Sequence, residues 1–247
     1  MRIHRALARA GVASRRKAEE LVAAGRVKIN GVVARTGQSV DPEHDEITVD
    51  GQKVKLPPPP RWVVLHKPAG VITTRNDPEG RRTVFDLVPP EPGLTYVGRL
   101  DFMTEGVLLL TTDGDAAHRL THPSSQVPRS YVATVKGSVK AAAAEIRGGV
   151  ELEDGFVRPE GVSVEPGEQP RTWDLTLTIR EGRTREVRRL CEAVGLEVLR
   201  LVRTSFGPVS LGNLESGEAR SLTPRERTML DALAKAGPTV SQVDDEE

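Results

Sequence analysis

The chain has 247 residues, 37% hydrophobic and 28% charged, with a formal net charge of zero; this describes a folded protein with a modest core and excludes a globally polycationic binder. A single cysteine excludes an intrachain disulfide and points to a reducing compartment, and no apolar run reaches the length of a bilayer span, so the cytoplasm is expected. The charge is unevenly spread: residues 1–40 carry nine Arg and Lys against only Glu19 and Glu20, while the chain closes on Asp244-Asp245-Glu246-Glu247, a solvated acidic tail expected at 238–247.

In chain order, Ile3, Ala6, Leu7 and Ala10 fall at helical spacing and Gly11 stops the helix. Ser14 can cap a second helix with Ala18, Leu21 and Val22 on one face, ended by Gly25. The run Val27 to Val33 reads as a hairpin turning on Asn30-Gly31, where positive φ is needed. These elements make a compact basic module over 1–55, whose basic residues point to nucleic acid. Leu56-Pro57-Pro58-Pro59-Pro60 cannot continue a helix or a central strand and is read as a stiff spacer over 56–60.

A second domain is expected over 61–237. Strands are predicted at Trp62 to Leu65, Val107 to Thr112, Tyr131 to Val135 and Trp173 to Ile179, the last alternating as a sheet with one wet face would. Helices are predicted at Ala141 to Ile146, Arg185 to Val194 and Thr223 to Ala234, the last opening with the capping box Thr223-Pro224-Arg225-Glu226. Strands outnumber helices and come in groups, so the fold class is α+β with a largely antiparallel mixed sheet flanked by helices.

No phosphate-binding loop, dinucleotide fingerprint or zinc motif is present. His118 and His122 have metal-ligand spacing, but Pro123 follows and ordinary polar contacts are the expected role. Cys191 reads as a packed structural thiol. The cluster Arg180, Arg183, Arg185, Arg188 and Arg189 fits either a salt-bridged surface helix or a face toward phosphate or a catalytic acid. In Val97 to Gly106, Arg99 and Asp101 lie between glycines read as turns, just before a buried apolar run. By spacing this is a tight turn with solvated charges, or a carboxylate aimed by a rigid strand.

Gly98-Arg99-Leu100-Asp101 with Thr104-Glu105-Gly106 and the following leucine strand resembles the catalytic signature of the bacterial rRNA pseudouridine synthases of the RsuA/RluB family. His66-Lys67-Pro68-Ala69-Gly70-Val71, Ser130 to Val135, and Glu181 to Leu190 are similar to three further motifs of that family. Residues 1 to about 55 resemble an S4 RNA-binding domain, above all at Ala13 to Glu19 and Gly25 to Gly31.

The resemblance implies isomerisation of a specific uridine in ribosomal RNA, without metal or organic cofactor. The large-subunit RNA is favoured by Ala13-Ser14-Arg15-Arg16 and by the Asp77-Pro78-Glu79-Gly80-Arg81 loop. The small-subunit RNA and a noncatalytic S4-type ribosome-assembly protein are the alternatives. The resemblance makes Asp101 the essential carboxylate, Arg188 its guanidinium partner and Tyr131 the aromatic that stacks on the target base. It places Arg99, Lys67 and Arg185 against RNA in the catalytic domain and Arg15, Arg16, Lys17, Arg26 and Lys28 against RNA in the S4 module. The partner is free ribosomal RNA or an assembly intermediate, no membrane is involved, and a monomer is expected.

Overall fold

A computed structural model describes residues 2–41, 44–55 and 60–235. The expected spacer, apart from Pro60, and the expected acidic tail lie outside the described residues. The chain forms two compact units, Met1–Arg61 and Trp62–Glu247.

In the first unit, α1 (Ile3–Arg9) and α2 (Arg15–Ala23) pack on a small antiparallel sheet of β1 (Val27–Ile29), β2 (Val32–Val33), β3 (Ile47–Val49) and β4 (Gln52–Lys53), in the order β2-β1-β3-β4. Ser14 caps α2, its hydroxyl accepting from the Lys17 amide at 3.3 Å. Asn30 and Gly31 take φ of 50° and 80°, as a two-residue hairpin turn requires, and bring Ile29 opposite Val32. Ile3, Leu7, Ala18, Leu21, Val27 and Ile47 supply the core, so the basic residues between them are left facing water.

The second unit contains β5 (Trp62–Lys67), β6 (Thr95–Val97), β7 (Thr104–Thr111), α3 (Gly114–Thr121), β8 (Arg129–Lys136) and α4 (Val139–Gly148). It continues with the hairpin β9 (Val150–Leu152) and β10 (Gly155–Val157), then β11 (Gly161–Pro166), β12 (Trp173–Ile179), α5 (Glu186–Ala193) and β13 (Glu197–Phe206). Strands β14 (Val209–Ser210) and β15 (Ala219–Ser221) and helix α6 (Pro224–Lys235) complete it. The main sheet runs β11-β12-β8-β13-β7-β5-β15, with β6 on β7 and β14 on β13. Its strands pair antiparallel except β7 with β13, which fits the expected largely antiparallel mixed sheet.

Alternation along the central strands builds two apolar layers. Val63, Leu65, Leu108 and Leu110 join one cluster with Ile146 and Leu190 of α4 and α5. Trp62, Val64, Val107 and Leu109 join the other with Leu120 and Leu230 of α3 and α6. At the start of α6 the capping box forms: the Thr223 amide donates to Glu226 at 2.8 Å and the Glu226 amide to the Thr223 hydroxyl at 3.2 Å. Arg220 grips the same carboxylate at 2.7 and 2.8 Å, and this ion pair with the Thr223 bonds draws Glu226 down to about 2.

Two expectations are corrected. The leucine strand begins at Thr104, three residues before Val107, and Gly106 lies inside it rather than at a turn. The reason is close approach: Gly106 has φ of 108° and pairs with Arg203 of β13, and a β-carbon there would stand 2.2 Å from the Arg203 carbonyl oxygen. The arginine-rich helix also starts at Glu186, one residue late, because Arg185 is its cap at φ of 50°.

Candidate active site

Asp101 lies on the six-residue connection between β6 and β7, partly exposed, beside Leu100, which is buried. Gly98 takes φ of 68° to turn the chain out of β6. From there the backbone is tied at successive residues. The Thr73 hydroxyl donates to the Leu100 carbonyl at 2.9 Å and accepts from the Leu100 amide at 3.4 Å. The Asp101 carbonyl accepts from the Thr104 amide at 3.0 Å, and the Phe102 carbonyl from the Gly70 amide at 2.9 Å. The Met103 carbonyl accepts from Arg188 Nη2 at 3.0 Å. A carboxylate on such a loop is both reachable and held in direction.

Lys67 belongs to this scaffold. It is 0% exposed, and its ammonium donates to the carbonyls of Pro68, Phe102 and Thr104 at 2.9, 3.3 and 2.8 Å. The expectation that Lys67 contacts RNA is therefore corrected: all three of its protons are spent on backbone carbonyls, two of them in the stretch just after Asp101. Burial pushes its pKa down to about 8, against the pull of the nearby Asp101 and Glu105 carboxylates. Glu105 is in turn fixed by a bidentate pair with Arg200, both bonds 2.9 Å, which holds its carboxyl below the usual range.

Two further cations are buried in the sheet, on β13 and at the start of β8. Arg203 is 2% exposed, donates through Nε to the Val107 carbonyl at 2.8 Å, and leaves Nη2 buried without a partner. Arg129, also buried, donates to the Arg180 carbonyl at 2.6 Å. Both guanidiniums lie over the Phe206 ring, at 5.2 and 5.3 Å from its centre. Burial lowers the pKa of Arg129, and the positive Arg203 adds to that, while Tyr131 and Glu186 oppose it. Lys67 and Arg203 are thus both buried cations bonded to carbonyls of β7.

Tyr131 stands on β8 directly across from Arg203 of β13, 8% exposed. Arg188, on the first turns of α5, reaches the loop from the other side. Its guanidinium bonds the Met103 backbone rather than pairing directly with the Asp101 carboxylate, yet feels that charge: Asp101 offsets part of the lowering that burial and neighbouring Arg185 impose on it. So Asp101 and Arg188, 87 positions apart in the chain, are brought together, while Tyr131 is joined to them through the sheet.

The arginine cluster divides by partner. Arg183 and Arg189 both hold Asp154 of the β9–β10 turn, Arg189 with two bonds of 2.8 and 2.9 Å. Arg180 pairs with Glu160. These three are structural. Arg185 is exposed, with a loose 3.4 Å contact to Glu192, and Arg99 is exposed on the Asp101 loop. Thr73 and Arg203 escape sequence reasoning, because only loop closure brings Thr73 to the Asp101 loop and only strand pairing brings Arg203 to β7. Cys191 is a buried free thiol, pushed up to about 12 by burial, as its reading as a packed residue implies. The His122 ring lies 2.6 Å from the Ser124 hydroxyl.

In the first unit, Arg15, Arg16, Lys17, Arg26 and Lys28 are all exposed. Lys17 pairs with Glu20 at 2.7 Å, and Arg26 makes a two-bond pair with Asp50, one bond being 2.8 Å. Exposed pairs of this kind are worth little and exchange readily for phosphate. In the Asp77–Arg81 loop, Arg81 closes back on Asp77 with bonds of 2.8 and 3.0 Å.

Residues 61–193 match the family described as RNA pseudouridylate synthase, and residues 1–47 match the S4 domain. A ribosomal large subunit pseudouridine synthase B of Bacillus subtilis is 43% identical over 240 residues, covering 96% of this chain and 98% of the relative. An uncharacterized RNA pseudouridine synthase of Aquifex aeolicus is 43% identical, with 93% of each chain covered. Among solved structures, a pseudouridylate synthase crystal structure aligns over 93% of this chain and 99% of its own, with 29% identity and a TM-score of 0.62.

Proposed function

Because this chain belongs to the RNA pseudouridylate synthase family, we propose that it isomerises one uridine of large-subunit ribosomal RNA, with Asp101 as the reacting carboxylate. The observation that carries the assignment of Asp101 is its loop, whose backbone is held by Thr73, Gly70, Lys67 and Arg188. The bond from uracil N1 to the ribose C1′ breaks, the base turns, and C5 joins C1′; the proton displaced from C5 balances the one gained at N1. One carboxylate serves either as nucleophile at the ribose or as base toward a ribose proton. Both routes need it held in a fixed direction, which the tethered loop supports.

Arg188 holds the loop and supplies positive charge beside Asp101. Tyr131 offers a π face on which a uracil can rest and turn. The target must leave its stack, at a cost of roughly a few kcal/mol, smallest in an unpaired loop. Arg99 and Arg185 contact the extruded nucleotide's backbone, and Arg15, Arg16, Lys17, Arg26 and Lys28 grip phosphates. The enzyme acts as a monomer in the cytoplasm on rRNA or an assembly intermediate.

The test is incubation with unmodified large- and small-subunit rRNA transcripts followed by chemical mapping of pseudouridine. We expect one site in the large-subunit RNA and a loss of about a thousandfold or more for Asp101→Asn, with RNA binding retained. Modification of the small-subunit transcript alone would refute the substrate, and full activity in Asp101→Asn would refute the residue.

A further inference from the structure

Arg180, Arg183, Arg185, Arg188 and Arg189 stand close together in the chain, so their mutual repulsion gives none of them a direction of its own. The helix that carries the last two starts without a side-chain cap, on Arg185 at φ of 50°, a conformation that the surroundings must hold. Two sets of bonds hold it. Locally, the buried Glu186 carboxylate accepts from the Arg183 amide at 2.9 Å, and the Glu186 amide donates to the Arg183 carbonyl at 3.2 Å. At long range, the β9–β10 hairpin takes arginines from both sides of Arg185. Arg183 donates to the Asp154 and Gly155 carbonyls, both at 3.0 Å, and to the Phe156 carbonyl at 3.3 Å. Arg183 and Arg189 both reach the Asp154 carboxylate, Arg189 with two bonds of 2.8 and 2.9 Å. The hairpin is a firm anchor, because Val150 and Val157 are buried in the same apolar cluster as Val187 and Leu190 of α5. Adjacent residues leave an α-helix about 100° apart. Arg189 on the hairpin and Arg188 on the Met103 carbonyl, at 3.0 Å, therefore grip α5 on different sides, and fixing the first fixes the rotation that delivers the second.

We propose that Asp154 is a positioning residue for the isomerisation: by holding Arg183 and Arg189 it sets the rotation of α5 that keeps Arg188 on the Asp101 loop. The inference rests on the reading of Asp101 as the reacting carboxylate. Asp154 acts through the helix alone. Its side chain is 45% exposed, and exposed ion pairs add little to stability, so its removal disturbs the aim of Arg188 more than the fold.

The test is single-turnover kinetics, with enzyme in excess, on the rRNA transcript that the wild type modifies. Asp154→Ala should lower the maximal rate by about tenfold or more, with half-saturation within about twofold of wild type. Its thermal midpoint should stay within about 4 °C of wild type. Arg189→Met should behave alike, and the double variant Asp154→Ala/Arg189→Met should be no slower than the slower single variant, since both break one joint. In an Arg188→Met background, Asp154→Ala should cause no further loss. Equal losses in both backgrounds, an unchanged maximal rate, or a change in half-saturation alone would overturn the clamp. If Arg188→Met has no measurable rate, the Arg189 cycle decides, additive losses overturning the clamp and shared ones supporting it. If Asp154→Ala does not fold, Asp154→Asn takes its place under the same criteria. With Asp101→Asn inactive, any such failure is the clamp's own; full activity in Asp101→Asn would overturn the underlying reading, and the clamp with it.

Discussion

Lys67 carries its charge where water cannot reach it, and spends its protons on backbone carbonyls, two of them just after Asp101. Removing the ammonium leaves the carbonyls of Phe102 and Thr104 short of a donor, so Lys67→Met should lower kcat by about tenfold or more while leaving KM for RNA nearly unchanged. Steady-state kinetics separates the two, and a rise in KM alone would mean that Lys67 meets RNA after all. The pH dependence has a definite sign. The folded pKa of about 8 lies below the ordinary 10.5, so between those values the unfolded chain binds more protons. Lys67 therefore adds stability as pH rises from about 8 to 10.5 and contributes a constant penalty below 8, by at most about 3 kcal/mol. Urea denaturation across that window should show the gap between wild type and Lys67→Met moving in favour of the wild type. A gap independent of pH would show that Lys67 titrates normally.

At the scale of elements, the parallel contact of β7 with β13 depends on Gly106. A methyl group there meets the Arg203 backbone at 2.2 Å, and φ of 108° is strained for any other residue. Gly106→Ala should cost about 3 kcal/mol or more, or prevent folding, measured as a fall in the thermal midpoint. Stability within about 0.5 kcal/mol of wild type would mean the strands can part. Elements with local signals were legible in the sequence: the capped α2, the Asn30-Gly31 hairpin, the alternating β12 and the capping box of α6. The early start of β7 was hidden, because Thr104-Glu105-Gly106 has no strand pattern of its own. Its extended form comes from pairing with Leu201, Val202 and Arg203, nearly a hundred positions later.

For the molecule as a whole, each unit has its own apolar core, so the basic unit can be removed as a test of its role. A chain starting at Trp62 should keep its thermal transition and its Asp101-dependent chemistry. Its affinity for rRNA should fall by about tenfold or more, and the salt dependence of binding should flatten by about one unit of slope for each phosphate it no longer neutralises. Filter binding over a salt series measures both. Unchanged affinity would leave the basic unit without a role in gripping RNA, and unfolding of the remainder would give it a structural one.

What the sequence determined by itself is whatever is written in short stretches. That covers the helix caps, the hairpin turn, the α+β class, the basic N-terminal unit and the motif around Asp101 that resembles a known family. What only the tertiary structure decided is the use of each charge. The resemblance gives Lys67 to RNA and Arg188 to the Asp101 carboxylate, yet one is enclosed beneath the Asp101 loop and the other bonds its backbone. Arg183 and Arg189 are taken by Asp154, while Arg99 stays exposed two residues from Asp101. The reason is physical: a charge acts through its burial and its nearest opposite charge, and both are set by residues far away in the chain.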